Sequence, residues 1–497
     1  MKPIATDTRT RRGFTVAATA LAAVAALQGC ATSGLGPTHK VAPVPESSAK
    51  TVEVPLPAPL PRKAAPAIPE RLLQPEATFT LADIVAIALE NNPLTRASYL
   101  QARSADANFG SKRAAYYPTI EATVSATRGS QTGLGTGADA AQTSYGPAVT
   151  LSMLLLDLGG RSADVEEARL GLLSADWLHN ATVQNVVLGV QVTYVQYLNA
   201  RSQLEAAKAN VRTAQAVLDA ATVRHDAGVA TIAEVLLAKT ALSQAQLSVD
   251  RLSGQVMALR GSLATAMGLA ATTPYDVGTL PAEVPAGLAD QAVEPLIERA
   301  KGQRPDLAAA LLQAEKASAH IRSVRSDGLP ALVGSASAGR LYLDPSIFAD
   351  HSDSWSARLL LSVPLFTGFE NRYNVEKARE DAAVALAQAD TLEQQVILQV
   401  WTSYYGLQTA AQLVKTSRDL LASAEQTERV AFGRYKEGVG TIIDLLVAQS
   451  ALANARSQEI QARAEWLAAL AQLAHDTGMA SPVLSAKVSI TEEKTSP

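Results

Sequence analysis

A glycine-rich stretch at residues 438–441, GVGT, is a candidate for chemistry, because glycine-rich loops that precede helices can cradle phosphates. It lacks the GK[ST] ending of a phosphate-binding loop, and the residues on both sides have helical rather than strand character. A closely related stretch, GVAT, stands 210 residues earlier, at 228–231. We therefore interpret both as turns between helices, with Gly228 and Gly438 as the turn glycines.

Residues that commonly carry catalysis or bind metals are few in this chain. The single cysteine, Cys30, excludes an intrachain disulfide framework. The histidines show no HExxH or other metal-ligand spacing and stand at positions 39, 179, 225, 320, 351 and 475. No Ser-His-Asp, paired-carboxylate or Cys-His pattern rises above background. We therefore predict that the chain is not an enzyme and binds neither a metal ion nor a cofactor.

The composition favours close-packed helices and argues against a nucleic-acid partner. The 497 residues are 47% hydrophobic but only 5% aromatic, and alanine is abundant throughout. Alanine is the best helix former, and its small side chain lets helices approach closely. The formal net charge of −4 provides no broad basic face for nucleic acid.

The two related turns belong to a long internal duplication. Residues 224–247 and 434–457 are identical at ten of 24 positions. The same correspondence continues upstream with an offset of 212. A steady register of this kind predicts two structural repeats, over 78–290 and 291–480, rather than the many short units of a solenoid.

Each predicted repeat consists mainly of helices that are too long for a compact globule. It opens with a helix of about 33 residues, at 83–115 or 295–327, which ends at a proline. After a strand section, two long helices meet at the glycine turn. They are predicted over 163–226 and 231–268 in the first repeat, and over 372–436 and 441–477 in the second. A helix of about 60 residues spans roughly 90 Å and needs an equally long partner.

Apolar residues repeat every seven positions along these helices, which is typical of coiled coils. After the first turn, one seam consists of Val235, Leu242, Val249, Val256 and Leu263. After the second turn, the corresponding seam consists of Leu445, Leu452, Trp466 and Leu473 and is interrupted by Glu459. We therefore predict that each turn joins two antiparallel coiled-coil helices, with a plain helical bundle as the alternative.

The sections between the helices alternate between polar and apolar residues, as strands with one apolar face do. In TIEATVSATR (119–128), Ile120 and Val124 fall on the apolar face. We predict hairpins over 119–155 and 331–365, and hence four strands per chain. Four strands cannot close a barrel with a lumen, and open edges are not tolerated in lipid. Several chains must therefore share one membrane β-barrel, with a small soluble sheet as the alternative.

The N-terminus is predicted to be an export signal and a tether. Residues 1–29 combine arginines with the apolar run FTVAATALAAVAAL, as a signal peptide does. The run ends in LQGC, which resembles a bacterial lipobox and predicts that Cys30 becomes an acylated first residue; ordinary signal-peptidase cleavage is the alternative. TRRGF at 10–14 leaves general and twin-arginine export both open. Residues 30–77 are a proline-rich linker and 481–497 a flexible tail.

The body of the chain resembles the TolC family of outer-membrane efflux proteins, in its lipoprotein branch. The resemblance covers about residues 78–480 and is carried by RYKEGVGTIIDLLVAQSALANAR, its degenerate copy at 224–247, and the motifs LLDLGGR and VPLFTGFEN. It implies a mainly α fold with a membrane β-barrel. In a homotrimer of this family, four strands per chain complete a 12-stranded barrel. The duplicated long helices continue it as a coiled-coil tunnel into the periplasm.

The resemblance also assigns roles to residues at the two turns. It places Gly228 and Gly438 at the closed periplasmic tip of the tunnel. Tyr435 matches a tyrosine that bonds across to a neighbouring coil, and Glu234 matches its acidic partner. Asp444 matches an aspartate that lines the constriction. The resemblance therefore implies a periplasmic constriction formed by Asp444, Glu234 and Tyr435.

Two positions depart from the family pattern at this constriction. Gly440 stands where the pattern has arginine, and Val447 stands where it has a second ring aspartate. The departures imply a tip that is less tightly latched and an acidic ring that carries fewer charges.

A protein of this family would carry substrates from a periplasmic adaptor and an inner-membrane pump to the exterior. It would reside in the outer membrane as a lipid-anchored homotrimer with a long periplasmic extension. The resemblance favours small molecules such as drugs, toxic compounds or metals, and an RND-type pump over an ABC-type pump. A type I protein-secretion conduit is the first alternative, and a structural periplasmic coiled-coil lipoprotein is the second.

Overall fold

A computed structural model describes four stretches of the chain, which fall into two compact units. The described residues are 78–132, 139–281, 292–344 and 351–479. The strand unit takes its described residues from Pro118–Met153 and Val333–Leu360, and the helical unit contains the others. In chain order the elements are β1 (Thr78–Phe79), α1 (Leu81–Asn91), α2 (Pro93–Arg113), β2 (Thr119–Thr132), β3 (Asp139–Leu156), α3 (Gly160–Asp226), α4 (Ile232–Ala266), β4 (Asp276–Val277), α5 (Val293–Gln303), α6 (Pro305–Ser326), β5 (Ala331–Asp344), β6 (His351–Ser362), α7 (Glu370–Lys436) and α8 (Ile442–Asp476). The predicted signal peptide, lipid anchor, linker and tail lie outside these residues.

The strand unit is built on a four-stranded sheet in the order β2-β3-β5-β6. The hairpin of β2 and β3 is antiparallel, and its register pairs Thr119 with Ser152. Within the described residues, β2 and β6 are the edges of this sheet. Apolar side chains of both edge strands are exposed: Ile120 by 70%, Val124 by 71% and Trp355 by 82%. The apolar face that the alternation predicts is therefore uncovered in the single chain.

The predicted opening helix of about 33 residues is wrong in one respect, because each copy is two helices. The first copy divides between Asn91 and Pro93, and the second divides in the same way before Pro305. The residues before the prolines, Asn92 and Arg304, have extended backbones, because a proline ring disfavours helical geometry at the preceding residue. Each proline then occupies the first turn of a new helix, where its missing N–H costs nothing.

The residue at this break differs in chemistry between the two copies. Asn92 caps α2, since its Oδ1 accepts a hydrogen bond from the Leu94 N–H at 2.9 Å. Arg304 is 6% exposed and donates from Nε to Asp306 Oδ1 at 3.0 Å and from Nη1 to Gln399 on α7. Burial would raise the pKa of Asp306, but the hydrogen bonds and charge of Arg304 outweigh it and hold the pKa below its usual value.

We expect the Arg304–Asp306 pair to stabilise the fold at neutral pH and to lose this effect in acid. Because the folded-state pKa of Asp306 is lowered, the stabilisation is present above the unfolded-state pKa of about 3.9 and disappears as the pH falls through the folded-state value. Asp306→Asn should therefore cost up to about 1 kcal/mol at neutral pH, a modest loss because water reaches the carboxylate. The difference from wild type should close in acid.

Melting followed by circular dichroism, over a pH series from neutral to acid, measures this difference. Asp390→Asn, at an exposed position of α7, is the matched control. A difference between Asp306→Asn and wild type that persists unchanged into acid would contradict the linkage.

The long helices pair as the heptads predict. The helices α3 and α7 have 67 residues each, and α4 and α8 have 35 each. Packing joins α3 to α4 and α7 to α8. The seam residues Leu242, Leu263, Leu445 and Leu452 are 8%, 0%, 0% and 7% exposed. A 67-residue helix spans about 100 Å, so these coils dominate the helical unit.

Glu459, the charged residue that interrupts the second seam, forms an ion pair that is largely shielded from water. Glu459 is 8% exposed, and its Oε1 lies 2.8 Å from Nε of Arg463, one turn later on α8. Arg463 also donates from Nη1 to the carbonyl oxygen of Pro281 at 3.2 Å. A charge at this seam position is tolerated because a partner of opposite charge compensates for the lost hydration.

The motifs LLDLGGR and VPLFTGFEN share an unusual backbone. Leu158 and Gly159 have φ values of 50° and 107°, and Gly368 and Phe369 have 63° and 69°. Two successive left-handed residues thus lead into α3 and into α7. One residue of each pair is not glycine, which costs roughly 1 kcal/mol or more. The two repeats share this backbone but place the glycine at different positions.

Among the described residues, no helix combines the length and apolarity needed to cross a membrane. In the same stretches, no group of three or more His, Cys, Asp or Glu side chains could hold a metal ion. Cys30 lies outside them.

Candidate functional site at the two helical turns

The two turns that the sequence singles out have the same backbone. Gly228 and Gly438 have φ values of 74° and 76°, in the left-handed region that favours glycine. The N–H of Val229, which follows the first glycine, donates to the carbonyl oxygen of Arg224 at 2.9 Å. In the same way, the N–H of Val439 donates to the carbonyl oxygen of Arg434 at 3.0 Å. These bonds close each helix in a Schellman arrangement, so α3 turns into α4 and α7 turns into α8.

Beside the turns, the two coiled coils share a small apolar cluster. Its members come from all four long helices: Val217, Ala221, Ala238, Tyr435, Ile442 and Leu445. Ala221, Ala238 and Leu445 are fully buried, and Tyr435 is 4% exposed. Tyr435 therefore lies at the contact between the coils.

Glu234 approaches Tyr435 from the other repeat. It is half-buried in the first turn of α4. Burial raises the pKa of the Tyr435 hydroxyl, the negative charge of Glu234 raises it further, and the positive charge of Arg224 opposes both. The structure thus brings together two of the three residues that the resemblance assigns to the constriction.

Arg224, which no motif singled out, belongs to the same group. Its guanidinium lies 4.9 Å from the centroid of the Tyr435 ring, and its Nη1 donates to the Tyr435 carbonyl oxygen at 3.2 Å. These two residues are 211 positions apart in the chain. The available sequence signal was an arginine four residues before each turn glycine, at Arg224 and Arg434.

Asp444, the third predicted constriction residue, caps its own helix in the described structure. Its Oδ2 accepts from the Thr441 N–H at 3.4 Å, and its own N–H donates to Thr441 Oγ1 at 3.1 Å. This reciprocal pair is a capping box. The equivalent Thr231 makes no side-chain cap bond, and the equivalent acid, Glu234, interacts with Tyr435 instead. The two first-turn acids therefore have different surroundings.

The two positions that depart from the family pattern, Gly440 and Val447, carry no charge. A Cβ on Gly440 would approach the Arg434 Cβ and the Tyr435 nitrogen to 3.0 and 3.1 Å, so this part of the turn is tight. Val447 is 64% exposed. The charge that a family arginine or aspartate would bring is therefore missing at these two positions.

Similarity to known proteins identifies the class of molecule that carries this pair of turns. The family described as outer membrane efflux protein matches residues 84–269 and 296–479. The chain belongs to the outer membrane efflux protein family. Each matched stretch contains one of the two glycine turns, so the family pattern spans both repeats of this efflux protein.

The efflux protein is similar to members of the family along most of its length. Protein CyaE of Bordetella pertussis is 30% identical over 400 residues, which cover 79% of this chain and 83% of CyaE. The toluene efflux pump outer membrane protein TtgF of Pseudomonas putida is 24% identical over 402 residues, which cover 79% of this chain and 81% of TtgF. The crystal structure of the outer membrane protein VceC of Vibrio cholerae matches with a TM-score of 0.71 and 19% identity, over 80% of this chain and 96% of VceC.

Family membership confirms several expectations from the sequence. The efflux protein belongs to a family of outer-membrane channel proteins rather than enzymes, and the family implies no cofactor. Its mainly helical fold is that of solved outer-membrane channels. The resemblance to the TolC family is thereby confirmed at the level of the family.

Proposed function

We propose that the efflux protein is one subunit of a homotrimeric conduit across the outer membrane. The observation that carries this proposal is the sheet, in which β2 and β6 are edges and apolar side chains such as Ile120, Val124 and Trp355 are exposed. Unpaired backbone groups at an edge are not tolerated in lipid, so β2 of one subunit would pair with β6 of the next. Three chains of four strands each then close a twelve-stranded barrel.

The long helices support a tunnel into the periplasm that is closed at the two turns. Helices of about 100 Å are far longer than the roughly 30 Å of a bilayer core. In this proposal Gly228 and Gly438 lie at the periplasmic end, and Glu234, Asp444 and Tyr435 of three subunits surround the axis. Docking of a periplasmic adaptor and an inner-membrane pump would move the coils apart and open the tip.

The proposed cargo is a small molecule, such as a drug, a toxic compound or a metal ion, delivered by an RND-type pump. The similarity to TtgF, which is named a toluene efflux pump protein, supports a small-molecule cargo. The test is deletion of the gene and its complementation, with two readouts: survival in toxic compounds and protein content of the culture medium. Sensitivity to compounds supports the proposal, whereas loss of a secreted protein would favour a type I secretion conduit with an ABC-type pump.

The lipid anchor at Cys30 is proposed from the lipobox alone. Acylation would hold the mature N-terminus in the outer membrane, and the proline-rich linker would connect it to the folded body. Mass spectrometry of the N-terminal peptide should show a diacylglyceryl cysteine in the wild type and none in Cys30→Ser. An unmodified thiol in the wild type would exclude the anchor.

The conduit itself is tested by its mass and its conductance. Native mass spectrometry of the detergent-solubilised protein should give the mass of three chains. Insertion into a planar bilayer should give discrete current steps. A monomer without current would favour the alternative of a structural periplasmic coiled-coil lipoprotein.

We expect neutralisation of the two acids to reduce the preference of the conduit for cations. Glu234→Gln with Asp444→Asn removes the charges, and the asparagine side-chain oxygen can still accept the hydrogen bond from the Thr441 N–H. Acidic side chains around a narrow axis attract cations and repel anions. We expect the cation-to-anion permeability ratio to fall by about twofold or more, which corresponds to roughly 0.4 kcal/mol.

Reversal potentials in a salt gradient measure this ratio. Asp250→Asn, at an exposed position farther along α4, is the matched control. An unchanged ratio in the double variant would show that these acids do not line the conduction path.

A further inference from the structure

Arg224 reaches from the first coiled coil of the chain to the second. Its guanidinium lies 4.9 Å from the Tyr435 ring centroid, and its Nη1 donates to the Tyr435 carbonyl oxygen at 3.2 Å. Both contacts are sheltered, since Arg224 is half-buried and Tyr435 is 4% exposed. A guanidinium over an aromatic ring and a hydrogen bond from a charged donor are both stronger when water is kept away.

The contact also places the positive charge of Arg224 at the C-terminal end of α7, which carries a partial negative charge. The Tyr435 carbonyl belongs to the last turn of α7, where the partial negative charge of the helix favours a cation. The N–H of Gly438 donates to the same oxygen at 3.1 Å, so Arg224 contacts an atom that helps to form the turn. The negative charge of Glu234 raises the pKa of the hydroxyl of the same tyrosine, although that buried hydroxyl has no hydrogen-bond partner among the described residues. Arg224 and Tyr435 thus connect α3 and α7, beside Glu234 on α4.

Comparison of the two repeats shows that this connection is asymmetric. Arg434 is the copy of Arg224, but it is exposed, and its Nη2 donates to Val439 O within its own turn at 3.5 Å. His225 is the copy of Tyr435, and its Nδ1 lies 3.0 Å from the carbonyl oxygen of Ala230, also within its own turn. Two arginines in equivalent sequence positions therefore have different surroundings, and the described cross-coil contact belongs to Arg224.

We propose that Arg224 is a positioning residue that holds the two coiled coils of each chain together at the closed tip. The proposal rests on the proposed conduit, because closure of a tip matters only where a path exists to be closed. The Nε of Arg224 is buried without a hydrogen-bond partner among the described residues. An unsatisfied buried donor makes the contact weaker than a saturated one, which suits a latch that an adaptor must release.

The test compares Arg224→Gln with the matched control Arg434→Gln in the full-length trimer. One readout is the leak conductance of the undocked conduit in a planar bilayer. The other is the rate of amide hydrogen exchange at the two turns, which reports separation of the coils whether or not ions pass. We expect Arg224→Gln to raise both on the order of tenfold, and Arg434→Gln to leave both unchanged.

Two further variants keep the test decisive. Arg224→Lys keeps the charge but loses the planar fork, so it should give an intermediate increase even where the glutamine variant folds poorly. In Arg224→Gln with Tyr435→Leu, the combined effect should be smaller than the product of the single effects, because both remove the same contact.

The possible outcomes separate the latch from the conduit. Equal effects of Arg224→Gln and Arg434→Gln, no effect of either, or independent effects of Arg224 and Tyr435 would overturn the latch. A protein that forms no trimer and conducts in neither the wild type nor Arg224→Gln, although Arg224→Gln accelerates exchange at the turns, would refute the conduit and support the contact between the coils.

Discussion

Gly146→Val should prevent the four-stranded sheet from forming, and the variant should therefore fail to accumulate in the outer membrane. A Cβ at Gly146 on β3 would overlap the carbonyl oxygen of Arg340 on β5 and lie 2.9 Å from its carbonyl carbon. On the other side of the same contact, a Cβ at Gly339 would lie 3.0 Å from the carbonyl oxygen of Pro147. The obstructing atoms are backbone, so they cannot move aside without separating the strands that the ladder holds at about 4.8 Å.

The effect is measured as the amount of folded protein in isolated outer membranes and as the trimer fraction by native mass spectrometry. Gly129→Val is the matched control, since Gly129 also lies within a strand and a Cβ there meets nothing within 4 Å. Because β3 and β5 join the two hairpins, loss of their pairing would leave two separate hairpins, which are marginal on their own. Normal accumulation of Gly146→Val would show that the hairpins do not meet along this register.

Gly268→Ala should be the most destabilising of the alanine substitutions at the left-handed glycines that end the α3, α4, α7 and α8 helices. The φ of Gly268 is 75°, and a Cβ there would lie 2.6 Å from the carbonyl carbon and oxygen of Asn91. A left-handed residue with a side chain costs roughly 1–2 kcal/mol, and forced overlap adds about 1–3 kcal/mol. The displaced atoms are again backbone, at the point where α1 ends beside the end of α4.

Alanine substitutions at two other glycines should cause smaller losses of stability and so provide comparisons for this prediction. Gly478, the copy of Gly268, has a φ of 76°, but a Cβ there would stay 3.0 Å from Gln303. Gly228 has a φ of 74°, and a Cβ there meets nothing within 4 Å. We expect melting temperatures to fall least for Gly228→Ala, more for Gly478→Ala and most for Gly268→Ala. Equal losses at all three positions would mean that φ alone decides, and that α1 can move away from the end of α4.

The same comparison separates two uses of glycine in this chain. Gly228 and Gly438 shape an exposed turn, so conformational freedom is their main contribution. At Gly268 and Gly478 the absence of a side chain also allows the end of another helix, at Asn91 or Gln303, to lie close to the glycine. The sequence alone indicates a role for Gly228 and Gly438, because each begins a repeated motif. The second pair is at the same offset of 210, but its role depends on a neighbour that the local sequence does not indicate.

The repeats, the coiled coils and the hairpins could be predicted from the sequence, because each depends on a pattern within one segment. Heptad spacing gives the buried seam of Leu445 and Leu452, and alternation gives the apolar face of Ile120 and Val124. The resemblance to the family was carried by motifs such as LLDLGGR and VPLFTGFEN, and the match of the family over both repeats confirms it. The prediction of a single opening helix is wrong because Pro93, inside the predicted range, disfavours a helical backbone at the residue before it.

The tertiary structure decided which of two equivalent residues meets the other repeat, although the resemblance to the family already implies the pairing of Tyr435 with Glu234. Arg224 and Arg434 are equivalent in sequence, yet Arg224 stacks on Tyr435 and Arg434 remains exposed in its own turn. Glu234 and Asp444 are likewise equivalent, yet one interacts with that tyrosine and the other caps a helix. A repeated sequence specifies the same local backbone twice, but the packing of α3, α4, α7 and α8 gives the two copies different neighbours. The contacts of a side chain depend on those neighbours, which lie about 200 residues away along the chain and leave no trace in local spacing.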